Sequence, residues 1–404
     1  MDIPTRFVPE HVPQHLVYDY EVYSGPRNYE YPQVELSEKL AREAPPIFWS
    51  PLNGGHWVIT RAADAQTIMR NPEVFSSDPQ YNKDKAMVPV RHLPLYYDPP
   101  EHAEARKILA PLFTPTAVLK MEQGIRSLAQ ELIEAVYAKG ECEFVSEIGH
   151  RYPVTIFMRL ANGPMDAREE LIAKAGTYLR SEDFATRQKS IRELTDYLAT
   201  FVDERTNELG DDLISLIVKA TFLGRPLTRE EIIGGTVLMF LAGLDTVASM
   251  TSFVMHFLAT HPEQYAELVR NPELIPNAVE ELMRVCAVSA PERGLRSDTV
   301  YNGIEMRKGD RVVIMLQFSG MDKGENKNPA HVDFTREVSF HLAFGSGPHR
   351  CMGSHLARLE IRTLLQEWTK RIPEMRFKEG ADVHVQGGQV WVPASMPLVW
   401  TPAA

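Results

Sequence analysis

The chain has 404 residues, of which 44% are hydrophobic and 24% charged, so it can bury a large core and is not a disordered segment. Its formal net charge of -11 excludes the overall basic footprint of a nucleic-acid binder. Three widely spaced cysteines, Cys142, Cys286 and Cys351, imply no disulfide framework and fit a reducing cytosol.

From the N-terminus, Met1 to Val22 is polar and broken by prolines. It lacks a basic stretch followed by an apolar one, so no signal peptide is expected. No apolar run approaches the roughly 20 residues that span a bilayer. The expectation is a soluble, cytoplasmic protein without a membrane partner. No repeat or Gly/Ser linker divides the chain. One domain over 1–404 is expected, with a smaller β-rich portion at about 30–70, 300–320 and 375–404 and a helical remainder.

Ile47–Trp49 and His56–Thr60 flank Asn53-Gly54-Gly55, residues that tolerate positive φ, so the spacing predicts a hairpin. Pro99 to Arg106 reads as a helix start that puts His102 and Arg106 on one face. Thr228 and Glu231 form a capping box. The helix they open should run from Arg229 to about Thr260, about 45 Å at 1.5 Å per residue. It is apolar on nearly all sides around Val237 to Ala248, which predicts burial in a large core. Thr260 and Glu263, with Pro262 between them, predict a second capping box and a new helix. Asn302-Gly303 predicts another hairpin, and Arg311 to Leu316 a strand. After Cys351, the apolar residues Ile361, Leu364, Leu365, Trp368 and Ile372 share one helical face, and Pro373 ends the helix.

Chemistry concentrates in three places. Phe344-Gly345-Ser346-Gly347-Pro348-His349-Arg350-Cys351-Met352-Gly353 makes a tight loop that delivers a cysteine to a helix start. The helix dipole and free N–H groups there favour a thiolate. A plain buried cysteine, or a metal site of His349, Cys351 and His355, are the alternatives; the latter lacks a paired partner motif. Ala242-Gly243-Leu244-Asp245-Thr246 places an acid and an alcohol inside an apolar helix, which is costly unless both are satisfied. The threonine can turn to a helix carbonyl or to a bound ligand. Glu281 and Arg284, taken alone, read as an i,i+3 surface pair.

The pattern Phe344-x-x-Gly347-x-x-x-Cys351-x-Gly353 strongly resembles the haem-binding loop of cytochromes P-450. Glu281-Leu282-Met283-Arg284 resembles the family's E-x-x-R helix, and Asp333-Phe334-Thr335-Arg336 its meander. Further matches include Phe75-Ser76-Ser77, Asp98-Pro99-Pro100 and Pro397-Leu398-Val399-Trp400, and the likeness is greatest to the soluble bacterial camphor-hydroxylase group. The resemblance implies a mainly α fold with small β-sheets, a triangular helical prism with haem b between a long distal helix and the proximal cysteine loop. It implies Cys351 as iron ligand, with Phe344, Gly345, Gly353 and Ala242 against the haem. His102, Arg106, Arg293 and His349 would hold its carboxylates. Glu281, Arg284 and Arg336 would form a buried ion network. Thr246 and Asp245 would manage protons beside dioxygen, with Arg180 pairing to Asp245.

An ungapped alignment puts Val90 where camphor hydroxylases carry a substrate-anchoring tyrosine, and Tyr81 where they carry a phenylalanine. Leu238, Leu241, Ser289, Gln389 and Val390 would complete a mostly apolar pocket. The expected activity is monooxygenation of a small or medium apolar substrate, a terpenoid or norisoprenoid rather than camphor. No flavin- or NAD(P)H-binding segment is visible, so electrons should come from a 2Fe-2S ferredoxin and a flavoprotein reductase, with Arg106 and Arg358 facing that partner. A peroxide-driven enzyme and a non-catalytic haem sensor are the rivals.

Overall fold

A computed structural model describes residues 6–82 and 88–402. Helix makes up 53% of it. The helices are α1 Pro32–Glu43, α2 Ala62–Met69, α3 Glu101–Leu109, α4 Pro115–Leu119, α5 Glu122–Tyr137, α6 Arg151–Leu160 and α7 Arg168–Arg180. They continue with α8 Phe184–Asn207, α9 Leu213–Lys219, α10 Arg229–Thr260, α11 Pro262–Arg270, α12 Ile275–Val285 and α13 Ser354–Arg371.

The largest sheet joins β1 Ile47–Ser50, β2 His56–Ile59, β3 Phe75–Ser76, β7 Glu292–Leu295 and β10 Arg311–Ile314 in the order β1-β2-β10-β7-β3. The β1–β2 hairpin turns at Asn53, Gly54 and Gly55, all at positive φ, as the sequence predicts. A three-stranded sheet joins β4 Glu141–Glu143, β11 Arg376–Phe377 and β14 Pro397–Val399, so Val399 pairs with Glu141 across most of the chain. Two-stranded ribbons join β5 Thr221–Phe222 to β6 Arg225–Pro226, β8 Thr299–Tyr301 to β9 Ile304–Met306, and β12 Val385–Gln386 to β13 Val392–Pro393. The β8–β9 turn is the predicted Asn302-Gly303. The Arg311–Leu316 run is a strand only to Ile314; Leu316 opens a 3-10 turn.

The long helix α10 organises the core. Thr228 accepts from the Glu231 N–H, and the Glu231 carboxylate accepts from the Thr228 N–H, so the predicted capping box is complete. The second predicted box is absent. Residue His261, not Thr260, precedes α11, and no side chain caps it. The Thr260 hydroxyl instead donates to the His256 and Phe257 carbonyls, holding Thr260 as the last residue of α10. Contrary to the sequence reading that no apolar run approaches a membrane-spanning length, α10 is long and apolar enough to cross a bilayer, but 78% of its most apolar window is buried inside the protein. One apolar cluster packs α10 against α5, α12 and α13; a second packs its first half against α6, α8 and α9. Trp368 of α13, fully buried, meets Phe144 and Trp400 edge-on at ring separations of 5.4 and 5.7 Å.

Candidate functional site

The cysteine loop is shaped by its glycines. Gly345 and Gly347 both adopt left-handed φ, at +68° and +69°. A Cβ on Gly347 would lie 2.5 Å from the Met69 carbonyl oxygen, so the loop rests directly on the end of α2. The Cys351 N–H donates to the Phe344 carbonyl at 2.8 Å, closing the loop three residues before α13. Gly347→Ala is therefore expected to cost about 1–3 kcal/mol through backbone strain. Denaturant unfolding, with haem content measured on the same samples, checks this.

The Cys351 side chain is exposed, but to a cavity inside the protein rather than to the outer surface. Burial pushes its thiol up, and the Gly353 N–H with Arg106, Arg350 and Arg358 pulls the other way, toward the thiolate. The cavity holds about 330 Å³ and is lined by both Cys351 and Thr246. Among the described residues no group of three His, Cys, Asp or Glu could hold a metal ion, which disposes of the His349–Cys351–His355 alternative.

The shape of α10 fits a flat group above the thiol. From Ile232 to Ala259 its residues are buried, except that Ala242 and Gly243 are exposed and Thr246 half-exposed, all onto this cavity. A Cβ at Gly243 would meet nothing within 4 Å. Phe344, Gly345 and Gly353 line the opposite wall. A flat ring is the kind of group such a slot suits, and Cys351 lines the slot from the loop side.

One rim of the slot is cationic. His102, Arg106, Arg293 and His349 all line it, and the His102 and His349 rings lie 4.1 Å apart. Burial, then Arg106, lowers the His102 imidazole to about 4, with Arg293 adding to the effect and Asp98 opposing it. Burial also lowers the Arg293 guanidinium to about 10. With Arg106 and Arg293 set against the single carboxylate of Asp98, the rim suits ligand carboxylates. Arg106 is also tied to the loop, donating to the Arg350 carbonyl at 2.6 Å.

Behind the loop, Glu281 and Arg284 are completely buried. The Glu281 oxygens accept from Arg284 Nε and Nη2 at 2.8 Å, from Arg336 Nε at 2.9 Å and from the Ser339 hydroxyl at 2.7 Å. Arg284 also donates to the Gly320, Pro329 and His331 carbonyls. The i,i+3 surface reading of this pair is thus wrong: α12 turns it inward. On the far side, Arg180, the last residue of α7, puts Nη1 2.6 and 2.7 Å from the two Asp245 oxygens. Asp245 is fully buried, and the Arg180 side chain is 11% exposed, so this pair leads from solvent into α10. The Thr246 hydroxyl donates to the Ala242 carbonyl at 2.7 Å.

The predicted substrate pocket needs correction. Of its residues, Leu238 and Ser289 line the cavity; Tyr81, Val90, Leu241, Gln389 and Val390 do not. Val390 is instead bridged to Ser289 through the backbone, and the Gln389 carbonyl accepts from the Ala290 N–H. Leu241 points into the packing between α10 and its neighbours, and Val90 packs on the same cluster. Arg296 lies over the Tyr81 ring at 5.5 Å. The wall is supplied instead by Leu95, Phe157, Leu213 and Met239. Nothing in their local sequence marks them as pocket residues. Ser339 and the three carbonyls that hold Arg284 were equally invisible, because they come from the irregular stretch after β10.

Comparison with known proteins identifies the family. Residues 171–370 match the family model described as Cytochrome P450. The chain is 33% identical over 407 residues to "Probable cytochrome P450 127A1" of Sinorhizobium fredii, covering 98% of both chains. It is 30% identical to "Steroid C26-monooxygenase" of Mycolicibacterium smegmatis, over 83% of this chain and 85% of that one. Among solved structures, it is similar to CYP101C1 (31% identity, TM-score 0.87) and CYP101J2 (30%, 0.86), covering 98% of this chain and all of each of those. With the thiol, the slot and the cationic rim in place, the chain belongs to the cytochrome P450 family, monooxygenases that carry haem b.

Proposed function

We propose that the protein inserts one atom of O₂ into a C–H bond of a small or medium apolar substrate, a terpenoid or norisoprenoid, as a member of the bacterial camphor-hydroxylase-like group. A 2Fe-2S ferredoxin, fed by a flavoprotein reductase, supplies the electrons in the cytoplasm. The observation that carries this reading is the apolar wall beside Thr246: Leu95, Phe157, Leu213, Leu238, Met239 and Val247. Burial against it contributes about 25 cal/mol per Å² of apolar substrate surface. Relatives named for steroid and vitamin D3 oxidation support an apolar substrate class. Arg358 is a weaker candidate for the ferredoxin face than its sequence position implies, since Glu280 holds its Nη2 at 2.9 Å.

Haem, when bound, would supply the oxygen activation, and Cys351 is the residue that would hold its iron as a thiolate. Substrate C–H, O₂, two electrons and two protons give C–OH and water. The chain's part is to deliver those protons and exclude bulk water. Thr246 faces the cavity with a hydroxyl that can leave the Ala242 carbonyl, and Asp245 with Arg180 links that turn of helix to solvent. This acid–alcohol pair favours the O₂-dependent reaction over a peroxide-driven one or a sensor role. Asp245→Asn is expected to lower turnover about 10²-fold, at the low end of what general acid–base groups supply. NADH-driven product formation with a ferredoxin pair, set beside a hydrogen-peroxide-driven assay, measures it.

The substrate assignment is tested by the high-spin shift on adding camphor, cineole, ionones and a steroid. Cineole or an ionone should give the largest shift. A largest shift with camphor or the steroid would overturn the assignment.

A further inference from the structure

Gly234 lies in the second turn of α10, where a glycine weakens a helix relative to alanine and so needs a reason. The reason is a crossing chain. A Cβ there would lie 2.1 Å from the Arg91 carbonyl oxygen. The next residue, Gly235, meets only ordinary contacts, the nearest at 3.6 Å. The backbone at 91–92 thus rests directly on α10 at Gly234. Leu93, fully buried, anchors the stretch in the apolar cluster around the first half of α10. Pro94 and Leu95 then line the central cavity. The 91–97 loop is therefore one wall of that cavity, and Gly234 sets how closely the wall approaches α10.

The loop is also clasped from outside. Arg91 Nε donates to the Tyr96 carbonyl at 2.7 Å, and Nη2 donates to Asp78 at 2.6 Å. The Arg91 guanidinium lies over the Tyr97 ring, 3.9 Å from its centroid. Tyr97 in turn meets Phe222 edge-on at 5.6 Å. Phe222 belongs to the β5–β6 hairpin, and Arg225 of that hairpin pairs with Glu231 of α10 at 2.8 Å. Loop, hairpin and helix thus close on one another. A separate polar pocket of about 440 Å³, lined by Arg91, Tyr97, Phe222 and Arg225 among others, leaves the clasp room to open.

We propose that Gly234 and Arg91 are positioning residues for substrate size: together they hold Leu95 close to α10 and so limit the apolar molecule that fits beside Thr246. Neither lines the cavity, and both act through Leu95. Carbon and oxygen in contact settle roughly 3.3–3.6 Å apart, so Gly234→Ala moves the Arg91 carbonyl by about 1 Å. That movement carries Leu95 away from α10. It makes room for a larger molecule and takes contact from a smaller one. This deepens the small-substrate reading above and rests on it.

Spectral titration of the haem protein with cineole and with testosterone gives a dissociation constant for each, and their ratio is the readout. In Gly234→Ala, testosterone should bind about 10-fold tighter and cineole about 10-fold weaker, the low end of what one methylene is worth in an apolar pocket. The Arg91 side chain is 43% exposed, so its loss spares the core. Arg91→Ala should move both ligands in the same directions by about 3-fold, the scale of an exposed cation–π contact. Opposite movement is the signature, because a merely destabilised fold weakens both ligands together. A ratio unchanged in either folded variant, or both ligands weakened alike, would overturn the proposal. If Gly234→Ala does not fold, the ratio in Arg91→Ala decides alone. Wild type preferring testosterone to cineole, with the ratio still shifting as stated, would count against the substrate assignment and in favour of the clasp.

Discussion

Glu281→Leu is expected to lower folding stability by about 3–5 kcal/mol, the cost of stranding one member of a buried ion pair. The substitution leaves the Arg284 guanidinium fully buried with only backbone carbonyls as partners. It also removes the acceptor of Arg336, Ser339 and the Asp333 N–H, which together fasten the stretch ahead of the cysteine loop. Haem retention should fall with stability. Glu281→Gln, which keeps the shape, should lose less. Urea unfolding of the three proteins measures the ranking, and equal midpoints would refute it. The same group predicts acid sensitivity. Burial alone would raise the Glu281 carboxyl, but Arg284 above all, with Ser339 and Arg336, outweighs it and holds the carboxyl near 2 instead of 4.5. The folded state therefore binds fewer protons than the unfolded one across that interval. Stability is full above about pH 4.5 and falls as pH drops toward 2. Midpoints recorded across that range in wild type and Glu281→Gln should converge at the acid end.

Cys351→His is expected to convert the reduced carbon-monoxide spectrum from thiolate type to histidine type. Oxygenation should fall by more than the roughly 10–100-fold typical of losing a ligand's supporting partner, because the ligand itself and its electron donation are lost. The loop geometry should survive, since it depends on Gly345, Gly347 and the Cys351 N–H rather than on the thiol. A thiolate-type spectrum in this variant would place the iron ligand elsewhere, and Cys142 and Cys286 are both buried away in the core.

Much of this site was legible in the sequence because its parts are local. The loop, the capping box of α10, the E-x-x-R pair and the Asp245-Thr246 pair each occupy a few consecutive residues whose spacing carries the geometry. Arg180, 65 residues from its partner, was reached only through family likeness. The pocket wall was mostly missed. Leu95, Phe157 and Leu213 sit on three separate segments with no shared periodicity. Gln389 and Val390 were misplaced because backbone pairing with 289–290 orients that stretch, and side-chain type does not report it.

The pairing of β14 with β4 has a consequence for biogenesis. Trp400 lies against Trp368 and donates its indole N–H to the Tyr137 carbonyl, 263 residues earlier. The Phe144 N–H donates to the Met396 carbonyl. The segment around Tyr137 is therefore sealed by a residue translated 263 positions later. While the ribosome is still at work, α5 and its neighbours wait with apolar faces uncovered, at a time when nascent chains are most prone to aggregate. A nascent chain stalled before Met396 should bind a holdase chaperone, and one released after Trp400 should not.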